Sequence, residues 1–119
     1  SLVNSVINNI LTNAIKFSYP SSTIKIFSKK KNGILNLVIA DNGIGMSEKL
    51  LKDIFNMSKA TSRPGTSGEG GTGYGMPLVK KFMNSYGGDI EVESISEKKS
   101  EKGHGTTVTL SFKISLQNI

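Results

Sequence analysis

Hydrophobic and polar residues alternate along this chain with two different periods, which predict the order of its first elements. Over residues 2–17, apolar residues recur at three- and four-residue spacing, as on one face of an amphipathic helix. Residues 23–29 and 34–40 instead alternate apolar with polar positions, as half-buried strands do. The Lys-Asn-Gly sequence at 31–33 suits a tight hairpin turn between them. The first third of the chain is therefore predicted to be a helix followed by a β-hairpin.

The rest of the chain predicts two more helices and a second pair of strands. Ser47 can cap a short helix that ends near Phe55. Residues 56–73 are rich in glycine, serine and threonine, and so long a loop is typical of a functional lid or a disordered segment. The later elements are a helix at about 75–86, closed by the glycine pair 87–88, and strands at 89–96 and 106–114. Because the strands come in hairpin pairs, the pattern favours an α/β sandwich with a mixed or antiparallel sheet over a doubly wound parallel fold.

Length and composition favour one soluble domain. With 119 residues the chain can form one hydrophobic core, so residues 1–119 are predicted to be a single domain. No apolar run approaches the ~18 residues that span a bilayer, and no signal-peptide pattern opens the chain. The absence of cysteine excludes disulfides and thiolate metal sites.

The net charge of +6 is spread along the chain. Its densest cluster, Lys29 to Lys31, stands at the predicted hairpin tip. A nucleic-acid interface would gather basic residues on one face with aromatic residues between them. With one arginine and no tryptophan, the chain lacks that pattern, so we expect no nucleic-acid partner and only a mild attraction for anionic ligands.

Three polar residues form a stripe on the first predicted helix. At about 100° per residue, Asn9, Asn13 and Lys16 fall within roughly a 60° arc, away from the centre of the apolar stripe. Two amides and an amine in this arrangement could hold a hydrated Mg²⁺ ion and a polyphosphate together. Taken alone, an ordinary polar helix flank explains these residues equally well.

Two glycine-containing segments are further candidates. Residues 41–46, Asp-Asn-Gly-Ile-Gly-Met, are either an ordinary turn or a site where the Asp41 carboxylate accepts a hydrogen bond from the amine of adenine. Residues 68–76 are either a flexible linker or a phosphate-binding loop, because their glycines lead directly into a helix N-terminus. No Gly-Lys-Ser/Thr follows, so this second segment is not a P-loop.

In order and spacing, these segments resemble the histidine kinase branch of the Bergerat-fold (GHKL) ATPases, the superfamily that also holds gyrase B, Hsp90 and MutL. The resemblance covers nearly the whole chain. It consists of the N box at 9–18, the G1 box at 41–46, the F box at 53–55, the G2 box at 71–76 and a closing strand motif at 105–108. It implies a two-layer α/β sandwich whose mixed, largely antiparallel sheet is covered on one face by helices.

The resemblance also implies roles for individual residues toward ATP and Mg²⁺. Asn13 is expected to coordinate Mg²⁺, Asn9 to support the metal or the phosphates, and Lys16 to reach the phosphates. Asp41 is expected to bind adenine, and a lid cation, Lys59 or Arg63, to meet the γ-phosphate. The other ATP-binding positions implied are Phe17, Gly43, Gly45, Met46, Phe55, Gly71, Thr72, Gly73, Tyr74, Gly75, Met76 and Thr107.

Position 9 favours one branch of the superfamily. Gyrase-like and Hsp90-like relatives carry a glutamate there as general base, whereas the Asn9 amide is not a useful base. The resemblance therefore implies slow hydrolysis and transfer of the γ-phosphoryl group to a histidine on a separate helical dimerisation domain, in two-component signalling with a response regulator. An ATP-driven clamp and a non-catalytic nucleotide-binding module stay as alternatives.

The acceptor histidine is expected outside this chain. His104 is the only histidine, and its position between two glycines favours an ordinary surface turn. We expect an N-terminally trimmed catalytic domain that lacks the strand before its first helix and the dimerisation domain. This piece should be monomeric and its parent a homodimer. The expected compartment is the cytoplasm, with membrane anchoring of the parent left open.

Overall fold

Within the residues that the structure describes, three helices and four strands follow one another in the order that the sequence predicts. The structure, a computed structural model, describes residues 2–56, 65 and 75–114. The elements are α1 (Leu2–Lys16), β1 (Ile24–Lys31), β2 (Ile34–Asp41), α2 (Glu48–Asp53), α3 (Gly75–Ser85), β3 (Asp89–Ile95) and β4 (Gly105–Lys113). The predicted elements are confirmed, with ends that differ by one or two residues, as helix and strand ends commonly do.

The strands form one sheet in the order β1-β2-β4-β3, and each neighbouring pair is antiparallel. The sheet is therefore antiparallel throughout the described residues, where a mixed, largely antiparallel one was predicted. Its register places Asp41, the last residue of β2, opposite Thr106 near the start of β4. Two distant parts of the chain thus meet at one end of the sheet.

The turn between β1 and β2 has the predicted chemistry. Asn32 and Gly33 have φ angles of 53° and 76°. Positive φ at both central residues is the mark of a type I′ turn, whose twist matches that of the flanking strands. The Asn-Gly pair therefore determines the pairing of Lys31 with Ile34.

The end of α3 has the predicted glycine cap. Gly87 has a φ of 69°, the Gly87 N–H donates to the Asn84 carbonyl at 3.1 Å, and the Gly88 N–H donates to the Met83 carbonyl at 2.9 Å. These two bonds form a Schellman motif, which satisfies carbonyls that the helix leaves unpaired. The chain then turns directly into β3.

The hydrophobic core lies between the helices and one face of the sheet. Along α1, Val6 and Ile10 are 1% exposed, and along α3 Met83 is fully buried, as the helical period predicts. They pack against Ile39 of β2 and Leu110 of β4. Burying one such side chain contributes about 1.5–3 kcal/mol. The core thus holds α1 and α3 on the same face of the sheet, and the two-layer sandwich is confirmed.

No helix within the described ranges is both long enough and apolar enough to cross a membrane.

Candidate functional site

The Asp41 carboxylate, at the end of β2, is held by two backbone amides. Its Oδ1 atom accepts hydrogen bonds from the Gly43 N–H at 2.8 Å and from the Thr106 N–H at 3.2 Å. The first is an Asx-type turn, common where aspartate precedes a change of chain direction. The second depends on the pairing of β2 with β4. Together they hold a half-buried acceptor group at one orientation.

Residues 41–46, which we call the Asp41 loop, are attached to three other parts of the chain. The Ile44 N–H donates to the Phe17 carbonyl at 2.9 Å, and the Glu97 N–H donates to the Ile44 carbonyl at 2.9 Å. The Met46 N–H donates to the Ser94 hydroxyl at 2.8 Å. Backbone groups that would otherwise be unpaired in a loop are therefore satisfied at fixed positions.

The two glycines of the Asp41 loop are required by the surrounding protein. A Cβ on Gly43 would overlap the Phe17 carbonyl, and one on Gly45 would overlap the Ile95 carbonyl. Gly45 also has a φ of 67°, in the region that glycine adopts most readily. Close approach of neighbouring backbone is therefore enough to explain both glycines, whether or not a flat base also lies near them.

Asn9 and Asn13 of α1 are in contact, and Asn9 also touches the start of α3. The Asn13 side-chain amide donates to Asn9 Oδ1 at 3.4 Å. A Cβ on Gly75, the first residue of α3, would come within 2.9 Å of the same oxygen. The helix N-terminus, whose first N–H groups have no partner within the helix and whose dipole end is positive, thus lies beside the Asn9 amide, which in turn contacts Asn13. This arrangement suits an anion and a hard cation together.

Lys16 and Phe17 connect this polar stripe to the Asp41 loop. The Lys16 ammonium lies 5.1 Å from the centroid of the Phe17 ring, within cation–π range. The carbonyl of Phe17 contacts the Asp41 loop, as described above. Residues 9 and 17 are about 12 Å apart along the helix. The helix α1 therefore carries the polar stripe near its middle and leads directly into the contact with the Asp41 loop.

Phe55 lies after α2 and packs against the core. The Lys80 ammonium of α3 is 5.7 Å from the centroid of its ring. Lys80 also pairs with Asp89 at 2.6 Å. The hydrogen bond from Lys80, together with one from the Ile90 N–H, lowers the pKa of the Asp89 carboxyl. The contact with Lys80 holds Phe55 against α3, and the role of Phe55 toward a ligand stays a prediction.

Three predicted site residues have positions that their motifs did not suggest. The structure does not bring Thr107 to Asp41, because successive side chains of a strand point to opposite faces and Thr107 pairs with Ala40. Thr106 instead contacts Asp41 through its N–H, and a role of Thr107 toward ATP stays a prediction. Met46 and Met76 are each only 8% exposed, and their side chains belong to the core.

Other predicted residues lie outside the part of the chain that the structure describes. They are Lys59, Arg63, Gly71, Thr72, Gly73 and Tyr74. The structure adds four residues that sequence reasoning did not identify. These are Thr106, Ser94, Glu97 and His104, which contact the Asp41 loop across the sheet or from the turn between β3 and β4. Their contacts depend on how β3, β4 and the turn between them meet the Asp41 loop, which local sequence patterns do not contain.

Over residues 1–116, the sequence matches the family described as histidine kinase-, DNA gyrase B- and HSP90-like ATPases. The chain belongs to this family. The superfamily recognised from the sequence motifs is thus confirmed.

Relatives and solved structures agree with this assignment. Sensor histidine kinase WalK of Bacillus subtilis (strain 168) is 31% identical over 112 residues, covering 92% of this chain but 17% of WalK. The mycobacterial sensor histidine kinase MprB has a TM-score of 0.71 at 22% identity, covering 92% of this chain and 70% of that one. Full-length ShkA, solved in complex with AMPPNP, has a TM-score of 0.69 at 21% identity, covering 95% of this chain and 22% of ShkA. The structural likenesses show a shared fold.

Proposed function

We propose that this chain is the ATP-binding catalytic domain of a sensor histidine kinase. It holds Mg-ATP along α1 and presents the γ-phosphoryl group to a histidine on a separate helical domain. The observation that carries the proposal is the arrangement on α1. Its Asn9–Asn13 stripe meets the start of α3, and the carbonyl of Phe17 at its C-terminal end meets the Asp41 loop.

Adenine would bind at the Asp41 loop. Asp41 at neutral pH is an acceptor, and the exocyclic amine of adenine is a donor. Because two backbone amides hold Oδ1, the carboxylate is oriented before the base arrives. A preoriented acceptor avoids the cost of ordering a side chain on binding. Thr106 belongs to this end of the site through its N–H.

The phosphates would lie between the Asn9–Asn13 stripe and the N-terminus of α3. The donor set fits Mg²⁺, since Asn13 offers a carboxamide oxygen, Asn9 stands beside it, and Mg²⁺ takes its other ligands from water and phosphates. Bound there, the metal would neutralise charge on the transferred phosphoryl group. The described part of the chain contains no cluster of three or more His, Cys, Asp and Glu side chains suited to a metal. Lys16 and the first N–H groups of α3 would hold the phosphate oxygens.

Asn9 favours transfer over hydrolysis. A general base must accept a proton from the attacking group, and a carboxamide has no basic site at neutral pH. The Asn9 oxygen also accepts a hydrogen bond from Asn13. The site would therefore hold ATP with little hydrolysis until another nucleophile, a histidine imidazole, is presented.

The partner would be a helical dimerisation domain that carries the acceptor histidine, with a response regulator receiving the phosphoryl group afterwards. The parent would be a homodimer, and this chain a monomer in the cytoplasm. The names of WalK and MprB as sensor histidine kinases support this choice within a family that also includes gyrase-like and HSP90-like ATPases.

Phosphotransfer to a supplied acceptor tests the proposal. The chain, radiolabelled ATP and Mg²⁺ would be mixed with a histidine-bearing helical dimerisation domain, with a histidine-to-alanine form of that domain as control. We expect acid-labile label on the intact domain only, together with slow phosphate release by the chain alone. Rapid hydrolysis without transfer would contradict the proposal and favour a clamp. Nucleotide binding with neither reaction would leave a non-catalytic module.

A further inference from the structure

His104 contacts the Asp41 loop although it is distant in sequence. Its Nδ1 atom lies 2.5 Å from the carbonyl oxygen of Gly43. A carbonyl oxygen only accepts hydrogen bonds, so Nδ1 must carry the proton. The contact therefore selects the Nδ1–H tautomer whenever the ring is neutral. His104 is half-buried in the turn before β4.

Both backbone polar groups of Gly43 are thereby engaged. Its N–H donates to Asp41 Oδ1 at 2.8 Å, and its carbonyl accepts from the His104 ring. The ring and the carboxylate are thus connected through one glycine residue. The 43–44 peptide is held on its other side by the Ile44 N–H, which donates to the Phe17 carbonyl. Removing the ring would release the carbonyl side of this peptide and loosen the backbone next to the N–H that orients Asp41.

The residues after His104 hold the same loop. Gly105 has a φ of 138°, and a Cβ there would overlap the Asp41 carbonyl. The Thr106 N–H donates to Asp41 Oδ1 at 3.2 Å. Residues 104–106 therefore contact the start of the Asp41 loop with a side chain, with closely packed backbone and with an N–H. Of these three contacts, only the one from His104 requires a side chain that donates a hydrogen bond.

We propose that His104 is a positioning residue for recognition of the base. By holding the carbonyl of the 43–44 peptide, it fixes the adjoining 42–43 peptide, whose N–H keeps the Asp41 carboxylate in the orientation that accepts a hydrogen bond from the 6-amino group of adenine. Guanine carries an oxygen acceptor at that position, which a carboxylate cannot bind directly. His104 therefore contributes to the preference for ATP over GTP, an inference that rests on the proposed nucleotide-binding function.

Binding measurements on three variants test this role. Dissociation constants would be measured for non-hydrolysable ATP and GTP analogues and for inorganic tripolyphosphate. For His104→Ala we expect ATP-analogue affinity to fall about threefold to tenfold, the magnitude of one hydrogen bond, and the ATP-to-GTP preference to shrink. Affinity for tripolyphosphate should stay unchanged. His104→Asn, whose amide can donate from near the Nδ1 position, should recover most of the loss.

Lys102→Ala is the matched control, because it removes an exposed side chain from the same turn. It should bind all three ligands as the wild type does. Thermal unfolding of each variant reports on folding. If His104→Ala does not fold, His104→Gln replaces it in the test, since its amide is displaced by one bond and should recover less than His104→Asn.

Two results would overturn the inference while leaving the proposed function intact. One is unchanged ATP-analogue affinity and unchanged ATP-to-GTP preference in His104→Ala. The other is an equal loss for tripolyphosphate, which would indicate a general structural role. Failure of the wild type to bind either nucleotide would instead overturn the proposed function, and this inference with it.

Discussion

The two ends of the candidate site are built differently. At the base end, the Asp41 loop is held by hydrogen bonds and close backbone packing from Phe17, from residues 94–97 and from residues 105–106. At the phosphate end, Asn9, Asn13 and the start of α3 meet through polar side chains on one helix face. The base end is therefore fixed by backbone contacts of the fold itself, whereas the phosphate end consists of side chains on the surface of α1.

This difference separates stability from ligand binding. Substitutions that disturb the packing of the base end should unfold the domain as well as weaken adenine binding. Polar substitutions at the phosphate end should change metal-dependent binding and leave the fold intact, because half-exposed polar side chains contribute little to stability. Fixed base recognition would keep ATP bound while the phosphates adjust for transfer.

The largest expected effect is on stability at Gly45. Gly45→Ala would place a Cβ on the Ile95 carbonyl at a φ of 67°. Overpacking and left-handed strain together should lower the free energy of unfolding by about 3 kcal/mol. Urea denaturation measures the change.

Gly87 is the matched control for Gly45. Its φ is 69°, but a Cβ there would meet no atom within 4 Å. Gly87→Ala should therefore cost only the left-handed strain, about 1 kcal/mol. Equal losses in the two variants would show that the base end is not closely packed, and the comparison between the two ends would fail.

The next effect concerns adenine binding at Asp41. Asp41→Asn keeps an oxygen that can accept from Gly43 and Thr106, but it removes the charge and replaces one acceptor with a donor. ATP-analogue affinity should fall about tenfold to a hundredfold, the magnitude of a hydrogen bond to a charged group, with little loss of stability. Calorimetric titration measures the affinity. Wild-type affinity in this variant would remove Asp41 from the site.

At the phosphate end, Asn13→Ala should reduce the increase in affinity that Mg²⁺ provides. We expect a loss of about tenfold with Mg²⁺ and almost none without it, because a carboxamide oxygen of the metal site is removed. Asn8→Ala, an exposed position on the same helix, gains the same helix propensity and serves as control. An equal loss with and without Mg²⁺ would argue against metal ligation by Asn13.

The smallest effect lies at the rim of the base end. The Tyr19 hydroxyl donates to both Glu97 oxygens, at 2.7 and 2.9 Å, and this hydrogen bond is the main cause that raises the pKa of Tyr19 above 10.0. Because the Tyr19 pKa is higher in the folded than in the unfolded chain, the hydrogen bond to Glu97 stabilises the fold below pH 10.0. This stabilisation is lost as the pH rises through the pKa of Tyr19 in the folded chain. Spectrophotometric titration of Glu97→Gln should show the Tyr19 pKa lowered toward 10.0, with Tyr19→Phe assigning the signal. An unchanged titration curve would show that the pair does not form.

Local patterns were sufficient to predict most of the fold and the placement of the polar stripe on α1. The helical period predicts α1 and its buried face, and Asn32-Gly33 predicts the turn that starts the sheet. The same period places Asn9 beside Asn13, and the structure shows them in contact. These features depend on residues close in sequence, so composition and spacing contain the information.

Features that depend on pairing between distant strands could not be predicted from local sequence patterns. The Gly-Thr-Thr motif does not show which of its threonines meets Asp41, and the register of β4 on β2 places Thr106 there. Likewise, Ile26 follows the alternation of a half-buried strand and yet is 55% exposed, on the strand at one edge of the described sheet. Alternation shows which residues share a face, but only the packed structure shows whether that face is covered.

The central claim, that this chain binds Mg-ATP along α1, is tested most directly by calorimetric titration with a non-hydrolysable ATP analogue, with and without Mg²⁺. The account predicts binding by the wild type that Mg²⁺ strengthens. Most of it should be lost in Asp41→Asn, and only its Mg²⁺-dependent part in Asn13→Ala. Absence of binding, or binding that neither substitution changes, would contradict it.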